Sequence, residues 1–127
     1  VACPINWIDV FSIADLEEVA FEFKDKKKKR LRVATKYPNL TREFFYNKGA
    51  TQFSLVKSMG STEVAPFTSG SEIITDITST GATLAANNLK ILNDGYILKS
   101  ELCLMLGKLS PKNKEIQKLA KLLSTKY

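Results

Sequence analysis

Residues 71 to 84 of this 127-residue chain read Ser-Glu-Ile-Ile-Thr-Asp-Ile-Thr-Ser-Thr-Gly-Ala-Thr-Leu, an order of residue types that suits anion chemistry. Ile73, Ile74 and Ile77 predict a short buried strand, Thr78 to Thr83 a small hydroxyl-rich turn, and Leu84, Ala85 and Leu89 the apolar side of a following helix. A strand, a tight turn and a helix N-terminus present unpaired backbone N–H groups and a positive dipole end to an anion. Ser79, Thr80 and Thr83 can each add a hydroxyl donor to a phosphate oxygen, and Gly81 lets the backbone approach closely. Asp76, at the carboxyl end of the strand, can accept from sugar hydroxyls or hold a magnesium-bound water. Serine, threonine and glycine before a helix are also ordinary caps, and a lone Asp76 serves equally as a cap or a surface charge. The local pattern leaves both readings open.

The elements that must position this turn alternate short strands with helices, the signature of an α/β layer fold. Val1 to Cys3 read as the end of a strand. Ser12 with Asp15 three residues on reads as an N-cap, and Leu16, Val19, Ala20 and Phe23 as one helical face ending in a lysine run. Leu31 to Lys36 predicts a strand, Tyr37-Pro38-Asn39 a turn, and Leu40, Phe44 and Phe45 the apolar face of a helix stopped at Gly49. Gln52 to Lys57 alternates like a half-buried strand, and Gly60-Ser61 opens a short helix towards Pro66. After an Asn93-Asp94-Gly95 hairpin-type turn, Tyr96 to Leu106 reads as a long strand region. Ser110-Pro111 starts a last helix with Ile116, Leu119, Ala120 and Leu123 facing the core and lysines 112, 114, 118, 121 and 126 in solvent.

Composition removes whole classes of function. At 44% hydrophobic and 25% charged residues the chain reads as globular, one domain's length, with no apolar run long enough to span a bilayer. It opens on Val1 without a recognisable secretory signal, and its two cysteines, Cys3 and Cys103, make no disulfide framework. A reducing, cytoplasmic protein without structural zinc is the expectation. With no histidine, most general-base and triad chemistry is gone, so any catalysis works by positioning and electrostatics or is completed elsewhere.

Of 19 basic and 13 acidic residues, seven and one lie between Lys24 and Arg32, so this run alone supplies the net +6 and the rest is neutral. A solvated helix end complementing the C-terminal dipole is preferred over a nucleic-acid surface, which needs base-contacting or stacking groups beside the charge.

Three motifs in order carry a resemblance over nearly the whole chain. Arg32-Val-Ala-Thr-Lys-Tyr-Pro-Asn-Leu-Thr-Arg-Glu-Phe-Phe45, then Gly60-Ser-Thr-Glu-Val-Ala-Pro66, then Asp76-Ile-Thr-Ser-Thr-Gly-Ala-Thr-Leu84 with Ala86-Asn-Asn-Leu89, resemble ATP phosphoribosyltransferase, the enzyme that begins histidine biosynthesis. The start, from Trp7-Ile-Asp9 through Asp15-Leu-Glu-Glu-Val-Ala20 to the basic run, is most similar to the short bacterial form. That form works with a regulatory subunit resembling histidyl-tRNA synthetase.

The resemblance implies two α/β lobes like a type II periplasmic binding protein, with residues 1–95 in the second lobe and 96–127 forming the returning strand and helix of an incomplete first lobe. It implies transfer of the ribosyl phosphate of phosphoribosyl pyrophosphate to N1 of the ATP adenine, with Mg²⁺ carried on the substrate, and a homo-oligomer. By the same match the turn Thr80, Gly81, Ala82, Thr83 binds the 5′-phosphate, Ser79 lies in the loop, Asp76 faces the ribose and Glu63 is a second substrate contact. No residue is assigned as catalytic and none as a metal ligand.

The sequence departs from the family in lacking most of the N-terminal lobe, in Glu72 where aspartate is common, and in the density of its lysine run. The expectation is a fragment carrying the phosphoribosyl pyrophosphate half-site, inactive or nearly so alone. The alternatives are a non-catalytic anion- or nucleotide-binding lobe and a nucleic-acid-binding module using residues 24–32. A type I phosphoribosyltransferase is a weaker competitor, because Asp76 stands beside Ile77 rather than a second acid.

Overall fold

A computed structural model describes residues 1–108 and 112–125. Five strands, β1 (Ala2–Pro4), β2 (Leu31–Thr35), β3 (Phe53–Lys57), β4 (Ile73–Thr75) and β5 (Leu89–Ile91), form one mixed sheet in the order β3-β2-β4-β1-β5. β2 runs parallel to β3 and β4, while β1 runs antiparallel to β4 and β5. The carboxyl ends of β2, β3 and β4 therefore share one edge of the sheet, the place where open α/β sheets bind ligands.

Alternation along the strands divides the core into two layers. Cys3, Val33 and Ile73 point to one face, where α1 (Ile13–Lys27) contributes Ile13, Leu16 and Ala20 and α2 (Pro38–Asn47) contributes Phe45. Phe45 meets Phe53 edge-on with ring centroids 4.7 Å apart. Ala2, Ala34 and Ile74 point to the other face, towards Leu84 of α3 (Ala82–Ala86) and Leu89. This second layer is thin, and the small side chains of Ala2 and Ala34 leave open space above it.

The cap predicted at Ser12 and Asp15 forms as read. Ser12 Oγ accepts from the Asp15 N–H, while Asp15 Oδ2 accepts from the N–H groups of Ser12 and Phe11. These bonds, that from Phe11 first, hold the Asp15 carboxyl below the usual carboxylate range. Asp94 adds a long-range cap by accepting from the Ile13 N–H at 2.8 Å. A bidentate ion pair joins β2 to the approach of β4. Glu72 accepts from the Arg32 backbone N–H, Nε and Nη2, and Arg32 Nη1 donates to Ser69 O.

Elsewhere the structure corrects the expectations. β4 ends at Thr75, and Ile77 is 69% exposed, because the chain leaves the sheet at Asp76. Leu89 belongs to β5 rather than to the helix before it. Leu40 is 45% exposed, and Thr41 takes the inward position in the first turn of α2. Tyr96 to Leu106 forms no strand, having no neighbour with which to pair among the described residues. The Asn93-Asp94-Gly95 turn accordingly joins no hairpin. The last helix, α4 (Lys114–Ser124), is capped by Asn113 and buries none of its residues. Ser110, Pro111 and Lys126 lie outside the described residues.

Candidate phosphate-binding loop

Thr75 ends β4 in a fully buried position, and the next residue, Asp76, is the first of the loop that leads to α3. Three short bonds shape this loop. Asp76 Oδ1 accepts from the Ile77 N–H at 2.8 Å, Thr78 Oγ1 from the Gly81 N–H at 2.9 Å, and Thr80 Oγ1 from the Ala82 N–H at 3.3 Å. Gly81 has φ +78°, a left-handed conformation that side chains rarely adopt. A Cβ there would meet only Ile91 Cδ1 at 3.6 Å. The glycine is thus required by backbone angle rather than by crowding from the protein itself.

Self-capping leaves donors over. The hydroxyls of Ser79 and Thr83 have no partner among the described residues, and Thr80, an acceptor in its own bond, keeps its proton to donate. Thr83 and Leu84, in the first turn of α3, are among the positions whose N–H groups a helix leaves unpaired.

Glu63, from the 3₁₀ turn Thr62–Phe67, faces this loop across a pocket of about 310 Å³ that Asp76, Ser79, Thr80, Ala82 and Thr83 also line. Six of the seven site residues expected from sequence thus surround one space, and Gly81 shapes it from behind through its φ. Among the described residues the lining holds two carboxylates and no cation. Neutral donors alone would therefore hold an anion there.

A larger cleft of about 910 Å³ opens beside the pocket over the thin second layer. Tyr37 and Leu40 form its α2 wall, Ile77 and Ser79 its loop wall, and Tyr96 and Lys99 approach from the segment after β5. Of these cleft residues sequence reasoning singled out Ser79 for the site and missed Tyr37, Leu40, Tyr96 and Lys99. It also missed Thr35, Thr41 and Thr75, whose hydroxyls meet beneath the loop. Thr35 and Thr75 are last residues of strands that become neighbours only through the β2-β4 crossover, so spacing along the chain gave no sign of them.

The remaining reactive groups lie apart from the loop. Cys3 is a buried free thiol whose pKa burial pushes up, which leaves it unreactive as a nucleophile. Residues 24–30 are exposed at the start of β2, the sheet edge opposite the loop. There Lys26 pairs with Glu22 and Lys27 lies over the Phe23 ring. Among the described residues no three acidic, cysteine or histidine side chains form a metal-holding group, and no helix is long and apolar enough to cross a membrane.

The family model for ATP phosphoribosyltransferase matches residues 9–125. An ATP phosphoribosyltransferase of Bradyrhizobium diazoefficiens is 54% identical over 101 residues, which are 80% of this chain and 31% of that relative. One from Brucella anthropi is 46% identical over 121 residues, 94% of this chain and 52% of the relative. The solved ATP phosphoribosyl transferase (HisG:HisZ) complex from Thermotoga maritima is 44% identical, covering 50% of this chain and 31% of its own, at a TM-score of 0.47. The chain spans about a third to a half of the curated relatives it matches. With the family model matched over nearly its whole length, this chain belongs to the ATP phosphoribosyltransferase family.

Proposed function

We propose that this chain carries the phosphoribosyl pyrophosphate half-site of an enzyme that transfers the phosphoribosyl group to N1 of the ATP adenine and releases pyrophosphate, the first step of histidine biosynthesis. The observation that carries the reading is the pocket in which Glu63 faces the Asp76 to Thr83 loop, in a chain of this family. In this reading the turn Thr80 to Thr83 takes the 5′-phosphate on its hydroxyls and free N–H groups, Asp76 accepts from the ribose hydroxyls, and Glu63 makes a second contact to substrate.

No proton acceptor is required of the protein. The adenine nitrogen attacks a carbon with oxocarbenium character, so the work of the site is to hold the two reactants in line and to stabilise departing charge. Two carboxylates and no cation around the pocket fit a substrate that brings its own Mg²⁺, an ion that binds through one or two carboxylates plus phosphates and keeps much of its water. The ion would offset the charge of the leaving pyrophosphate. Glu63 and Asp76 are the residues that would face it.

The larger reading goes with the family. Residues 1–95 are the second lobe of a type II periplasmic-binding-protein-like pair. Residues 96–127 belong with the first lobe, which fits the exposure of residues 98–106. A cytoplasmic homo-oligomer with a regulatory subunit resembling histidyl-tRNA synthetase is the corresponding assembly.

Calorimetric titration of phosphoribosyl pyrophosphate with Mg²⁺ tests the half-site, beside a variant carrying Gly81→Val and Thr83→Val. The first change puts a β-branched residue at φ +78° and the second removes a hydroxyl. Binding by the chain and its loss in the variant are expected. Equal heats from both would remove the phosphate site from this loop. In a protein extended to the relatives' full length, binding without adenine phosphoribosylation would favour the non-catalytic lobe instead.

A further inference from the structure

Thr35, Thr41 and Thr75 form a closed triangle of hydroxyls. Thr75 Oγ1 donates to Thr35 Oγ1 at 2.6 Å, and Thr41 Oγ1 lies 3.1 Å from Thr35 Oγ1 and 2.7 Å from Thr75 Oγ1. Their relative exposures are 0%, 0% and 2%. A hydroxyl has one proton to give, so with Thr75 donating to Thr35 the ring closes as Thr35 to Thr41 and Thr41 to Thr75. The Tyr37 N–H donates a fourth bond into Thr35 Oγ1 at 2.9 Å. Every proton in the triangle is used, and bonds running in one sense polarise one another.

The placement gives the triangle a role beyond packing. Thr35 ends β2, Thr75 ends β4 and is bonded covalently to Asp76, and Thr41 stands in the first turn of α2. The strands are already paired, Thr35 opposite Thr75, whereas α2 has no share in that ladder. Thr41 therefore supplies a direct polar link from α2 to the residue before the loop. The same turn of α2 carries Leu40, and Tyr37 is its N-cap residue; both wall the cleft facing Ile77 and Ser79.

We infer that the triangle is a positioning device that fixes the Asp76 to Thr83 loop against the first turn of α2, with Thr41 acting on the loop through Thr75. Only its consequence for ligand binding rests on the function proposed above. Thr41→Val keeps the shape of the side chain but leaves the Thr35 proton without an acceptor and Thr75 without its donor. Thr41→Ser keeps the hydroxyl.

Amide NMR spectra of the chain and both variants, recorded alone and with Mg²⁺ and phosphoribosyl pyrophosphate, test this. In Thr41→Val the amides of residues 76–83 are expected to shift or broaden while those of β5 hold still, and affinity to fall about tenfold, as for residues that act on a site through an intermediate. In Thr41→Ser the loop amides and the affinity should return to those of the parent. Loop amides unmoved in Thr41→Val, or moved equally by Thr41→Ser, would overturn the inference. If the parent chain binds no phosphoribosyl pyrophosphate, the failure belongs to the proposed site, and the ligand-free loop amides decide the triangle alone. Should Thr41→Val lose its dispersed spectrum, Thr41→Cys, similar in size with a far weaker hydrogen-bonding group, is read by the same criteria.

Discussion

Helix α1 and helix α4 each carry an apolar stripe beside lysines, yet α1 buries Ile13, Leu16 and Ala20 while α4 buries nothing among the described residues. α1 is fixed at its start by the capping box and by Asp94, and it lies on the sheet face that holds Val33 and Ile73. The stripe of α4, with Leu119 and Leu122 at 56% and 59% exposure, has no such surface beneath it among the described residues. Residues 98–106 before it are exposed in the same way. An amphipathic pattern specifies that a face is apolar, and only the rest of the fold supplies what covers it.

The largest effect should therefore separate these two helices. Leu16→Ala removes a side chain that is 3% exposed and should cost about 3 kcal/mol, the usual range for a leucine in a core. Leu119→Ala should change stability by about 0.5 kcal/mol or less, as at other surface positions. Urea unfolding followed by Trp7 fluorescence gives both numbers, since Trp7 packs against the core that α1 helps to build. A cost for Leu119→Ala comparable to that of Leu16→Ala, growing with protein concentration, would mean that α4 finds its cover in a second chain.

Most elements of the first 95 residues, α1, β2, α2 and β3 above all, were legible because caps, turns and periodicity are local. Ser12 with Asp15, Pro38 at the first turn of α2, and Gly49 at φ +79° each mark a boundary through the chemistry of one or two residues. The loop was legible for the same reason, its hydroxyls and Gly81 lying within eight residues. What was not legible depended on neighbours distant in sequence. Tyr96 to Leu106 has the composition of a strand, but a strand needs a partner for its N–H and C=O groups. Ile77 looks like a continuation of Ile73 and Ile74, but the sheet ends at Thr75. Glu63 came from the family motif alone, and nothing local would have set it across a pocket from Asp76.

A middle-sized effect contrasts two ion pairs. Glu72 accepts from three donors of Arg32 with its side chain 15% exposed, whereas the Lys26 and Glu22 side chains are 76% and 71% exposed. Glu72→Gln leaves the Arg32 charge poorly matched in a partly buried place and should cost about 2 kcal/mol. Glu22→Gln breaks an exposed i,i+4 pair and should cost no more than about 0.5 kcal/mol. Unfolding in 0.1 M and 1 M NaCl sharpens the contrast: the Glu22 effect should vanish at high salt and most of the Glu72 effect should persist. A Glu72→Gln cost that salt erases would show that its bonds to Arg32 add little beyond surface charge.

The smallest effect compares the two N-caps. Ser12→Ala should cost about 1 kcal/mol of global stability, because Ser12 Oγ takes up the Asp15 N–H of a helix packed into the core. Asn113 likewise accepts from the N–H groups of Glu115 and Ile116, but Asn113→Ala should fray α4 without moving the unfolding midpoint, since α4 buries nothing that holds the sheet. Acid adds a second signature to α1. The Asp15 carboxyl is held below its ordinary range in the folded chain, so its contribution is complete above that range and disappears as pH falls through the depressed folded value. Asp15→Asn should flatten this part of the pH profile while leaving the profile above about pH 5 parallel to that of the parent chain. If Asn113→Ala instead lowers the midpoint as far as Ser12→Ala does, α4 is folded as one cooperative unit with the sheet, and the contrast between the two helices lies in their exposure and not in their coupling.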